Sequence, residues 1–84
     1  MRARHRRTLE RLFSRPPQAN IRWREVVALM DALEIEVIQR AGSRVLLRSG
    51  RLRKVVHQPH PRSELNRTAA RDIADFLEKL GITP

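Results

Sequence analysis

Three histidines, His5, His57 and His60, are the side chains of this 84-residue chain whose ordinary pKa suits proton transfer near neutrality. Two of them fall in the run His57-Gln58-Pro59-His60-Pro61. Pro59 prevents the helical His-x-x-His arrangement, and no third ligand is evident, so no metal site is expected. No cofactor is expected either. Acid–base chemistry fits the pair better. An RNA phosphodiester can be cleaved without metal when one group takes the 2′-OH proton and another protonates the leaving oxygen. Nearby arginines would hold the charge that develops on phosphorus. Two loop histidines with no chemistry fit the sequence equally well. His5 lies in a basic N-terminal segment and reads as a surface residue.

Arginine is the other abundant chemical resource. The chain has 18 Lys and Arg against 9 Asp and Glu, a net charge of +9, and all the cations but Lys54 and Lys79 are arginine. Arginine's planar fork matches phosphate oxygens in pairs and stays charged at any working pH. A polyanion is therefore the expected partner, and nucleic acid is the commonest one. The charge is segregated. Residues 1–15 net +5, 16–39 net −2, 40–62 net +7 with no acid at all, and 63–84 net −1. Within the middle block, Arg44 and Arg48 can project from one face of a strand, with Arg51, Arg53 or Lys54 adding charge according to register. A solvated sheet face is the competing reading. The lack of a local carboxylate in 40–62 favours binding. Gly42-Ser43 can offer backbone N–H groups to a phosphate, although such turns are common. Trp23 can stack on a base, but its spacing with Val26, Val27 and Met30 favours a place in the core.

These groups need elements to position them. Residues 3–14 read as a short helix with Leu9, Leu12 and Phe13 on one face, stopped by Arg15-Pro16-Pro17. Residues 15–20 read as a linker, with Asn20 as the N-cap of the next helix. Trp23, Val26, Val27, Met30 and Leu33 recur at helical spacing over 21–33. The period then changes to two. Strands are expected over 35–40, from Arg44 to Arg48, and from Leu52 to His57, with turns at Ala41-Gly42-Ser43 and Ser49-Gly50. Such short connections imply antiparallel hairpins. After Pro59 and Pro61, Asn66 or Thr68 can cap a last helix carrying Ala70, Ile73, Phe76, Leu77 and Leu80, and Gly81 stands where a C-terminal glycine belongs. The expected fold class is α+β. A three-stranded antiparallel sheet is packed against the helix over 21–33 and the last helix, with an extra N-terminal helix. The other sheet face is left open with arginines projecting from it.

Length allows one small core and no second. Hydrophobic residues at 40% and charged residues at 32% exclude a disordered tail, and no apolar run approaches bilayer length. The absence of cysteine excludes a disulfide scaffold and a thiolate zinc site, and fits a reducing compartment. The basic start, Met1 to Arg7, is not followed by the apolar stretch of a signal peptide, so a cytoplasmic location and no membrane partner are expected.

Three features together resemble the HicA toxins, small ribonuclease-like proteins of bacterial toxin–antitoxin pairs. They are Gly42-Ser43 between two strands, a third strand running into Val55-Val56-His57-Gln58-Pro59-His60-Pro61, and a last helix ending in Leu80-Gly81-Ile82. The resemblance covers about residues 21–84 and leaves 1–20 as a basic helix and linker. It implies a fold like a double-stranded-RNA-binding domain, α-β-β-β-α. It also implies metal-independent endoribonuclease activity on messenger RNA and neutralisation by a HicB-like antitoxin. The family pattern is Gly-Ser-His with a catalytic histidine, and here that place is taken by Arg44. Arginine cannot shuttle protons near neutrality. Acid–base function would then fall to His60, which matches the family's position after the third strand, or to His57. Ser43, Arg44, Arg48, Arg51, Arg53 and Lys54 would hold RNA. A non-catalytic RNA- or DNA-binding module is the alternative.

Overall fold

Alternation of apolar and polar residues between positions 36 and 57 produces two hairpins, and helical spacing on either side supplies their cover. The computed structural model of the chain describes residues 1–18, 20–59 and 64–84. Its elements are α1 (Ala3–Phe13), α2 (Trp23–Ala32), β1 (Glu36–Gln39), β2 (Arg44–Ser49), β3 (Leu52–His57) and α3 (Arg67–Lys79). The sheet is antiparallel in the order β1-β2-β3. This is the α+β arrangement of a double-stranded-RNA-binding domain, preceded by one more helix.

The connections follow from local chemistry. A short 3₁₀ turn, Ala41–Ser43, joins β1 to β2, with Gly42 at φ 70° and Ser43 at φ 63°. Gly50-Arg51 closes the β2–β3 hairpin, and Gly50 takes φ 58°, the left-handed backbone that a tight hairpin asks of its first residue. At the start of α3 the Asn66 side chain accepts a hydrogen bond from the Ala69 N–H at 2.7 Å. At its end Ile82 N–H donates to the Leu77 carbonyl and Gly81 N–H to the Glu78 carbonyl, both at 2.9 Å. Together these make a Schellman motif around Gly81 at φ 80°.

Asn20 is not the cap of α2. The helix starts at Trp23, and the Glu25 carboxylate accepts the Arg22 N–H at 2.9 Å. The reason is tertiary. Arg22 forms a bridge with Glu64, and Leu65 N–H donates to the Ile21 carbonyl at 2.9 Å. Residues 21 and 22 are thereby drawn into extended backbone and cannot begin a helix.

One face of the sheet is covered by helices, α2 against β1 and α3 against β3, while α1 packs on α2 and α3. Val45, Leu47 and Val56 meet Val26, Leu29, Met30, Ile73 and Leu77 in a single core, to which α1 adds Leu9 and Leu12. Trp23 belongs to this core and is buried, so its ring is not available for base stacking. His5 is a second correction. It is 8% exposed rather than a surface group, because positions 5, 8, 9 and 12 share the inward face of α1. Among the described residues no helix is long and apolar enough to cross a membrane.

Candidate nucleic-acid interface

Side chains alternate across a strand, so the register sorts every residue of the sheet to one face. Val45 and Leu47 are fully buried against the helices. Their neighbours Arg44, Leu46 and Arg48 therefore point to the uncovered side. Across the ladders, Arg44 faces His57, Leu46 faces both Ile38 and Val55, and Arg48 faces both Glu36 and Arg53. The open face thus has three rows. One row carries Arg44 and His57, an apolar row carries Ile38, Leu46 and Val55, and a mixed row carries Glu36, Arg48 and Arg53.

The pairing of Arg44 with His57 is close. Gln58 N–H donates to the Ser43 carbonyl at 2.8 Å, which makes Ser43 and Gln58 a hydrogen-bonded pair. The next pair inward, Arg44 and His57, is then of the non-hydrogen-bonded kind, with Cα atoms about 4.5 Å apart and side chains brought together. Both residues are exposed. Arg44 Nε donates to the Ala41 carbonyl at 3.2 Å, which ties the guanidinium to the turn, and among the described residues its terminal nitrogens have no hydrogen-bond partner. Arg40, Arg44 and Val55 line a shallow hollow of about 190 Å³ on this side of the sheet.

Arg48 is arranged differently. Its Nε donates to Glu36 Oε1 at 2.7 Å and its second terminal nitrogen to Glu36 Oε2 at 3.0 Å, a bidentate pair. The hydrogen bond and then the charge of Arg48 hold the Glu36 carboxyl below its ordinary range, and Glu36 in turn raises Arg48. The expectation that the basic block has no carboxylate partner is therefore corrected for Arg48. The partner comes from β1, twelve residues earlier, through strand register. Arg53 has no such partner among the described residues.

The remaining candidates are dispersed. Lys54 faces Leu47 and lies on the helix side of the sheet, half-buried. Arg51 is exposed in the hairpin turn, and Ser43 is half-buried in the turn before β2. His60 lies outside the described residues. The fold thus brings Arg44, His57, Arg48 and Arg53 to one surface and separates Lys54 from them. Sequence reasoning did not single out the apolar row. Its signal was present, since Leu46 shares the alternation phase of Arg44 and Arg48, and Val55 that of Arg53 and His57. Val55 is 51% exposed, while Leu46 is buried by its neighbours on this face rather than by the core. Among the described residues no group of three or more potential metal ligands is gathered.

A family model described as HicA toxin of bacterial toxin–antitoxin systems matches residues 23–82, from the first residue of α2 to the residue that closes the Schellman motif. Neither a curated protein nor a solved structure matches the chain.

Proposed function

Because the chain belongs to the HicA toxin family of bacterial toxin–antitoxin systems, and is thus one half of a pair with an antitoxin, we propose that it is a cytoplasmic toxin that binds messenger RNA across its open sheet face and cleaves it without metal, restrained by a HicB-like antitoxin. The observation that carries the chemistry is the register pair Arg44–His57. The family's histidine place holds an arginine, but an imidazole stands directly across the ladder, within side-chain reach of the same point on the sheet.

In this reading a ribose-phosphate strand crosses the open face from Arg44 to Arg53, over the apolar row between them. The Arg44 guanidinium donates to the non-bridging oxygens of the scissile phosphate and stabilises the charge that builds on them. His57, as neutral imidazole, takes the 2′-OH proton. The 2′ oxygen bonds to phosphorus, the bond to the 5′ oxygen breaks, and the products are a 2′,3′-cyclic phosphate and a free 5′-OH. The leaving oxygen takes a proton from the imidazolium or from His60, three residues on. The apolar row offers a surface for base edges between Arg44 on one side and Arg53 on the other.

The test is cleavage of a long transcript by purified wild type, His57→Ala and His60→Ala. Loss of an acid–base group lowers cleavage by about 10²–10⁴-fold, and that loss is expected for His57→Ala. Equal cleavage by wild type and both variants removes the proton-transfer assignment. The second reading, a toxin-family module that binds RNA without cutting it, draws on the same substitution at position 44. It predicts binding with no cleavage by any of the three proteins.

A further inference from the structure

A second cationic surface lies away from the sheet. The solvent side of α1 carries Arg4, Arg6 and Arg7, all exposed, with exposed Arg2 just before the helix. Exposed Arg24 of α2 lines a hollow of about 210 Å³ together with Arg4, His5, Thr8, Ala28 and Glu25, whose carboxylate accepts the Arg22 N–H and lies 3.8 Å from Arg11. Of the arginines here, Arg11 has a carboxylate near it, Glu25 at 3.8 Å, and no carboxylate lies within ion-pair distance of the others among the described residues. Because α1 packs on helices and the open sheet face points away from them, the two surfaces look in different directions.

We propose that the Arg4–Arg7–Arg24 face is a second binding site for the phosphate backbone of RNA. Three observations select this occupant. The exposed positions of α1 are Ala3, Arg4, Arg6, Arg7 and Glu10, with no large apolar residue among them, and exposed Met1 ahead of the helix is too little to form the apolar core that a protein interface needs. The apolar stripe of the helix, Leu9 and Leu12, is spent in the core, so none is left to enter a lipid surface. Every cation on the face is arginine, the side chain suited to paired phosphate oxygens. Arg4 and Arg7 stand one turn apart on α1, about 5–6 Å between Cβ atoms, a ladder along which a backbone can be followed. The arrangement also opposes the stability of the free helix. α1 has no acidic residue in its first turn and no side-chain cap, and its positive charges crowd the end where the helix dipole is already positive. A bound polyanion relieves that repulsion.

The site deepens the RNA reading of the sheet, and the experiment separates the two. The probe is a 2′-O-methyl oligoribonucleotide of about 16 nucleotides, enough for a small single-strand-binding domain and resistant to cleavage because its 2′ oxygen is blocked. Binding to the full chain is followed by fluorescence anisotropy across a salt series, for wild type, the triple variant R4Q/R7Q/R24Q and the sheet variant R44Q/R53Q. Each lost phosphate contact on a single strand flattens the slope of log K against log salt by about 0.7. The triple variant is expected to lower that slope by about 2. Between about 50 and 200 mM salt, wild-type binding then falls about 20-fold further than the variant's. Glutamine is a good helix former and the positions are exposed, so melting should be unimpaired; Arg7→Gln alone, expected to flatten the slope by about 0.7, serves if the triple variant does not fold. A flattened slope in the triple variant with unchanged binding by R44Q/R53Q upholds this site and overturns the sheet reading. Slopes and affinities in the triple variant and in Arg7→Gln that match wild type overturn this site whatever the sheet variant does. If those variants instead lose affinity for the antitoxin, the face is assigned to an acidic protein.

Discussion

Arg48 and Arg53 stand directly opposite one another on β2 and β3, yet they are not equivalent as phosphate ligands. The Glu36 carboxylate occupies the fork of Arg48 from the other side. A phosphate approaching Arg48 must compete with a carboxylate already in place, whereas Arg53 has no carboxylate within ion-pair distance among the described residues. Replacing Glu36 by Gln should therefore strengthen RNA binding and steepen its salt dependence by about 0.7, one added contact, as read by anisotropy on an uncleavable oligonucleotide. Unchanged affinity would show that Arg48 takes no part. The same pair fixes a pH effect. The folded state holds the Glu36 carboxyl below its reference value of 4.5, first through the Arg48 hydrogen bond and then through its charge. Folding favours the ionised form, so the pair's contribution is complete above that value and is lost as pH falls through the lowered one. Thermal melts of wild type and Glu36→Gln should differ at neutral pH and converge in acid. Both groups are solvent-exposed, so the difference is small and shrinks with salt. None of this could be read from the basic block alone. The acid-free run of 40–62 is a true statement about sequence neighbours, but a sheet makes neighbours of residues twelve apart.

The elements were the most legible part of the molecule, for a physical reason. Strand alternation and helical spacing are local signals, and the three strands and three helices fall where those periods place them. Gly81 was legible too, and Asn66 as one of two cap candidates beside Thr68, because each acts within one turn of its own helix. What the sequence could not convey were effects arriving from elsewhere in the chain. The start of α2 is set by the Arg22–Glu64 bridge rather than by Asn20, and His5 is buried because α1 docks on two other helices. The sheet face was legible as a list of arginines but not as three rows, since the rows depend on register. The docking of α1 is itself testable. Leu12 is fully buried in the shared core, and truncating it to Ala removes transfer energy and leaves a cavity, at a cost of about 2–5 kcal/mol. Urea unfolding of Leu12→Ala should show that loss in a single transition. A cost well under about 1 kcal/mol, or an early separate transition, would mean that α1 is an appendage to the domain matched at 23–82. Removing the cap with Asn66→Ala should cost about 1 kcal/mol by the same measurement.

At the scale of the whole molecule, 84 residues carry a net charge of +9, and the open sheet face and the solvent side of α1 are two places where arginines gather. Two ion pairs, Arg11–Glu25 and Arg48–Glu36, are present among the described residues, and both are at the surface. Like charges held together in the folded state repel, and unfolding lets them separate. Salt should then act in opposite directions on stability and on binding. Screening weakens self-repulsion, since the Debye length falls from about 30 Å at 0.01 M to about 10 Å at 0.1 M, so the melting temperature of the free protein should rise with potassium chloride. The same salt weakens capture of RNA, because each counterion released from the strand gains less entropy when the bulk is already concentrated. An uncleavable oligonucleotide that prefers the folded chain, held at one fixed concentration about a hundred times its low-salt Kd, should add up to about 2.7 kcal/mol of stability at low salt. That gain should be largest at low salt and fade as salt rises. Melting curves with and without the oligonucleotide across one salt series measure both effects, and the two sets should converge at high salt. A free-protein melting temperature that falls on adding salt would mean that attractive pairs, rather than unopposed arginines, dominate the surface. An oligonucleotide shift that persists at high salt would mean that the apolar row of the sheet, not the guanidinium groups, provides most of the hold on RNA.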